Sequence, residues 1–104
     1  MNKYTELSDF EINKKVAEKL GAEWFVTTTV WDELVVMVGS KCFKPCNNPS
    51  DAMPIINEYG ISLIYQDRRF QFATNDGNIE CCIANPLKAA MIIFLCMKDA
   101  ENEG

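Results

Sequence analysis

Two rhythms of apolar residues alternate along the chain. Phe10, Ile12, Val16, Ala17 and Leu20 recur at helical spacing, with Glu11, Lys14, Lys15, Glu18 and Lys19 on the other side. Ser8 with Glu11 three residues later forms a capping box, Leu7 can staple onto Ile12, and Gly21 stands where a helix stops. From Trp24 to Trp31 the residues are aromatic or β-branched, which suits a strand. Asp32-Glu33 reads as a turn and Leu34 to Val38 as the returning strand, giving a hairpin. Gly39 to Asn47 reads as a loop.

Asn48-Pro49 starts a second helix, with Asn as cap and Pro at the first helical position. Its body is Ser50 to Tyr59 and its stop Gly60, with Pro54 expected to bend or delay it. A meander follows: strand Ile61 to Tyr65, turn Gln66 to Arg69, strand Phe70 to Thr74, turn Asn75-Asp76-Gly77-Asn78, strand Ile79 to Ala84. Asn85-Pro86 repeats the helix-start device, and the last helix runs from Leu87 to about Lys98. Between Ala89 and Met97 it is apolar on every side, so it should be buried on more than one face. One sheet covers only about half of a helix. The first two helices can supply part of the remaining cover, and a homodimer or a groove on a partner protein would supply the rest.

The predicted order is α-β-β-α-β-β-β-α. Strands joined by short turns imply an α+β fold: an antiparallel sheet of hairpin plus meander, with the helices packed on one side. The chain reads as a single domain over residues 1–104, with a frayed acidic tail over about 99–104.

Composition narrows the function classes. The 104 residues are 48% apolar, enough to build a core and to exclude wholesale disorder. A net charge of −5 without a row of Lys or Arg makes nucleic-acid binding an unfavoured reading. Histidine is absent, which removes the commonest general base and metal ligand. The start shows no signal-peptide pattern, and the longest apolar run, Ala89 to Met97, is far short of the roughly 20 residues of a membrane span. The five cysteines, an odd number, fit reduced thiols in a cytoplasmic protein.

Each candidate for chemistry has a plainer reading. Cys42-x-x-x-Cys46 with Cys81-Cys82 offers four thiolates to zinc, but the spacing is poor and adjacent strand residues point to opposite faces. Core packing for Cys81 or Cys82 and for Cys96, with Cys42 and Cys46 as loop thiols, is preferred, and no metal or cofactor is expected. The capped first helix resembles the opening of a helix-turn-helix, but strand-like residues follow where a recognition helix should stand. No Gly-rich phosphate loop, nucleophile elbow or His-paired Cys is present, so no catalytic residue is assigned and the protein is read as non-enzymatic. The aromatics exceed what one sheet face needs. Trp24, Trp31 and Phe43, with Arg68 and Arg69 in a turn that could hold an anion, are the candidate interaction surface.

Three stretches together carry a family resemblance: Leu7-Ser8-Asp9-Phe10-Glu11-Ile12-Asn13, Asn48-Pro49-Ser50-Asp51-Ala52-Met53-Pro54-Ile55-Ile56 and Asn85-Pro86-Leu87-Lys88-Ala89-Ala90-Met91. With Gly60-Ile61-Ser62-Leu63, and in this order, they resemble the NinX-like family of lambdoid phage and prophage proteins over nearly the whole chain. Met53 departs from the family pattern, which has an aromatic before the Pro. The resemblance implies a small accessory protein acting in the cytoplasm of a bacterial host, and it carries over no catalytic residue. The expected function is therefore binding of a host or phage protein. The alternative is a nucleic-acid-associated factor in phage recombination, replication or regulation, and a small enzyme ranks third.

Overall fold

The computed structural model describes residues 3–76 and 79–103, without the side chains of residues 102 and 103. Its elements are α1 (Asp9–Lys19), β1 (Trp24–Thr28), β2 (Leu34–Val38), β3 (Lys41–Cys42), α2 (Pro49–Tyr59), β4 (Ser62–Gln66), β5 (Arg69–Asn75), β6 (Ile79–Cys81) and α3 (Pro86–Glu103). The α+β class and the element order hold, with β3 added where a loop was expected. Hairpin and meander do not join into one sheet. They form two three-stranded antiparallel sheets, β1-β2-β3 and β4-β5-β6. The turn at 75–78 lies partly outside the described residues, since Gly77 and Asn78 are not described.

Helix α3 decides this division. Ala89, Ala90, Met91, Ile92, Ile93, Phe94 and Leu95 are all 0% exposed. The second sheet, α1 and α2 all pack against α3, while the first sheet packs on α1 through β2. The apolar circumference is thus covered from within the chain, and α3 needs no second molecule to bury it. The core around α3 draws on Ile12, Val16, Ile55, Ile56, Ile61 and Ala73, but on no residue of β1 or β2.

Local chemistry sets the helix ends. Ser8 Oγ accepts the Glu11 amide at 3.2 Å, as a capping box requires. Asn48 Oδ1 accepts the Ser50 amide at 3.0 Å. Pro54 lies inside α2 without ending it. A helical Pro forfeits its own bond to the residue four back and crowds that residue's carbonyl, here Ser50 in the first turn, so most of the bond ladder is left intact. Gly60 closes α2 at φ 65°, a left-handed conformation that suits glycine.

Asn85 does more than cap. Its Oδ1 accepts the amides of Leu87 at 3.0 Å and Lys88 at 3.2 Å. Its Nδ2 donates to the Cys46 carbonyl at 2.7 Å. On the other side, Asn13 Oδ1 accepts the Cys46 amide at 3.0 Å. The backbone of Cys46 is therefore clamped between α1 and the start of α3. Cys46 is not a loop thiol in the sense expected from sequence, because that clamp draws it fully into the core.

The last helix extends beyond the end expected at about Lys98. Helix α3 runs on through Asp99 to Glu103, and Asp99 has tertiary partners. It accepts a hydrogen bond from Tyr4 Oη and pairs with Lys3 at 3.4 Å, tying the N-terminal segment to the last helix. Lys98 pairs with Glu101 one turn on, at 3.5 Å.

Candidate interaction surface

The strand expected from Trp24 to Trp31 stops at Thr28, and a side chain explains the stop. Thr29 Oγ1 accepts the amides of Trp31 at 3.2 Å and Glu33 at 3.3 Å. The Thr29 amide donates to the Glu33 carbonyl at 2.9 Å, and the Asp32 amide donates to the Thr29 carbonyl at 3.0 Å. Asp32 takes φ 59°, a left-handed conformation that Asp tolerates better than most residues. These bonds fold residues 29–33 into a pinned turn, and hydroxyl-to-backbone bonds of this kind are how Thr competes with strand formation.

The pinned turn drives two large apolar residues into water. Val30 is 92% exposed and Trp31 86% exposed. Phe25, Val26 and Leu34 on the flanking strands are also exposed. Most of the large exposed hydrophobic residues among those described therefore lie on one hairpin. A cleft of about 340 Å³ opens beside the tip, between the first turn of α1 and the start of β2. Phe10, Leu34 and Val36 line its apolar part, and Ser8, Asp9 and Lys44 its polar part. At its rim Lys44 pairs with Glu33 at 3.6 Å, while Lys88 pairs with Asp9 at 3.0 Å. The neighbouring charges are thus already matched, and the apolar surface is the unmatched feature.

The five residues singled out from sequence do not form one surface. Trp31 is exposed at the tip of the first hairpin. Trp24 is half-buried at the start of β1. Phe43 is half-buried against the core and continues the β2–β3 ladder, donating its amide to the Val36 carbonyl at 2.8 Å. Arg68 and Arg69 are exposed, but on the other sheet, Arg68 in the turn after β4 and Arg69 at the start of β5. Asp67 and Arg68 there take φ 54° and 68°, the conformation of a tight two-residue hairpin. Sequence reasoning missed Val30 and Leu34. The available signal was Thr29 ahead of Asp32, a hydroxyl and a residue tolerant of positive φ bracketing a turn.

The cysteines separate by burial. Cys46 and Cys81 are buried, Cys42 and Cys82 exposed, and Cys96 half-buried, all as thiols. Burial pushes the Cys46 thiol up to about 12, with the nearby Asp9 charge adding to the effect and Lys88 opposing it. Burial also raises Cys81. Among the described residues, no three His, Cys, Asp or Glu side chains gather where they would hold a metal ion. Among the same residues no helix is long and apolar enough to cross a membrane.

A family model described as "Bacteriophage P22, NinX" matches residues 3–98. The chain belongs to the NinX family. It is therefore a phage protein, and the three motifs that carry the family likeness can be given physical roles. In this NinX chain Ser8 and Asn48 cap α1 and α2, and Asn85 caps α3 while bracing the Cys46 segment. No curated protein and no solved structure matches the chain.

Proposed function

We propose that this NinX-family member is a non-enzymatic phage accessory protein that acts in the cytoplasm of the bacterial host by binding a host or phage protein. Its contact surface is the tip of the first hairpin and the cleft beside it. One observation carries the reading: a turn locked by four hydrogen bonds holds Val30 and Trp31 almost wholly in solvent. Exposing them gains nothing for the fold, whereas a rigid, preordered Trp gives a binding site large apolar area at little entropic cost. Aromatic anchors of this kind dominate the energetics of protein interfaces.

The test is a comparison within one protein. Val30→Ser combined with Trp31→Ala should leave the thermal midpoint unchanged to within a few degrees, since neither side chain packs on the core. The tagged wild type should capture a defined protein from phage-infected host lysate, after nuclease treatment, that the double variant does not. Capture unaffected by the double variant refutes the tip as the contact, and capture abolished by nuclease transfers the assignment to nucleic acid.

A further inference from the structure

The geometry points to a homodimer in which the β1 strands of two copies pair edge to edge, antiparallel, about a two-fold axis at Val26, forming one continuous six-stranded sheet. This inference does not depend on the reading above, because it uses the backbone of β1 and not the hairpin tip.

Among the described residues the two sheets present four edge strands, and an open edge is a template for another strand unless it is short, charged or distorted. Strand β3 has two residues and β6 three. Strand β4 slips by one in its register on β5 between Ile64 and Tyr65, a bulge that distorts that edge. Strand β1 has none of these protections. It offers Trp-Phe-Val-Thr-Thr, with no charge, Pro or Gly and with four of five residues exposed, and β2 is the element packed substantially on it.

Two hydrogen bonds fix which backbone groups face outward. Phe43 N donates to Val36 O, so the Val36 backbone faces β3, and Val35 and Met37 face β1. These two are opposite Thr27 and Phe25, whose backbone groups are thereby used within the sheet. The bond from Thr29 N to Glu33 O continues the same alternation. Trp24, Val26 and Thr28 consequently carry the outward N–H and C=O groups. One antiparallel register uses all of them: Val26 opposite the partner's Val26, and Trp24 opposite the partner's Thr28 on each side. That arrangement makes six new backbone bonds. It also places Phe25 beside the partner's Thr27, an aromatic and β-branched pairing that strands favour.

Charge agrees with this register. The acidic chain resists self-association wherever like charges meet, yet no charged residue lies in the paired segment. Glu23, the nearest acid, falls level with the partner's Thr29 and not with another acid. The symmetry is closed, so pairing stops at two.

Sedimentation and light scattering should report a species at twice the chain's 11.8 kDa at micromolar concentrations. Val26→Lys, which sets two ammonium groups face to face on the axis, should give a folded monomer. Trp31→Ala, outside the paired segment, should remain dimeric, which separates this inference from the partner assignment. The register has its own readout that survives a poorly folding lysine variant. In a Cys42→Ser, Cys82→Ser background, Val26→Cys should form a disulfide-linked dimer under mild oxidation, since directly opposite antiparallel residues lie within disulfide reach. Phe25→Cys, whose own copy is not opposite it, should cross-link much less. A wild type that is monomeric throughout, or equal cross-linking at the two positions, overturns the proposal.

Discussion

Asn48 and Asn85 look alike in sequence, each followed by Pro at a helix start, yet the structure assigns them unequal work. Asn48 accepts one exposed amide, from Ser50. Losing such a cap costs about 1 kcal/mol. Asn85 caps with two amides and also donates to the Cys46 carbonyl at 2.7 Å in a part-buried setting. Substitution there removes a cap of about 1 kcal/mol and leaves the part-buried Cys46 carbonyl without its partner, at a cost of about 2 kcal/mol. Asn85→Ala should therefore cost about 3 kcal/mol and Asn48→Ala about 1 kcal/mol. Asn85→Asp should fall between them, because a carboxylate keeps the acceptor and loses the donor. Urea unfolding followed by circular dichroism at the helical band measures all three against wild type, and unchanged m values license the comparison. Equal costs for the two alanine variants would refute the bracing role of Asn85, and so would an Asn85→Asp variant as stable as wild type.

Two further outcomes follow from the cysteines. Cys42 and Cys82 should react with a thiol reagent in the native protein, while Cys46 and Cys81 should react only on unfolding, and fast native labelling of Cys46 by peptide mapping contradicts the burial. Alkaline pH should also weaken the fold. An unfolded Cys46 ionises from its ordinary 9.0, whereas the folded thiol holds its proton up to about 12. Between those values the unfolded chain binds fewer protons, so stability falls as pH rises, by about 1 kcal/mol at pH 10 from this residue. Cys46→Ala should flatten that limb by this amount when unfolding is measured at pH 7 and pH 10, and an unchanged fall would assign the loss to other groups.

Helix starts were legible in the sequence because their chemistry is local. Ser8 with Glu11, Asn48 with Pro49, and Asn85 with Pro86 each act within a turn of backbone and sit where expected. The partition into two sheets was not legible, because it is set by how α1, α2 and the meander share the surface of α3. The extension of α3 past Lys98 was not legible for the same reason: Asp99 accepts a hydrogen bond from Tyr4, 95 residues away. At the candidate surface, Val30 and Trp31 have the composition of strand residues. The Thr29 hydroxyl, with two backbone bonds of the same turn, turns them outward, and aromatic content by itself could not separate them from Phe43, which packs inward.

The fold separates what holds it together from what it presents. The core cluster is organised by α3 and includes nothing from β1 or β2, although Val35 and Val36 are buried locally. Substitutions at the exposed positions of the first hairpin therefore act on a layer attached through α1, and the core does not depend on them. Two kinds of recognition fit on that layer without competing, because they use different atoms. Backbone groups of Trp24, Val26 and Thr28 point along the sheet, while the side chains of Val30 and Trp31 leave from the turn. In the proposed dimer the antiparallel pairing sends the two turns to opposite ends of the shared sheet. A partner with two matching sites would then bind far more tightly than a single tip allows. Val26→Lys should accordingly weaken capture by such a partner while leaving Trp31 as exposed as in wild type, a loss that a purely one-to-one contact at the tip would not show.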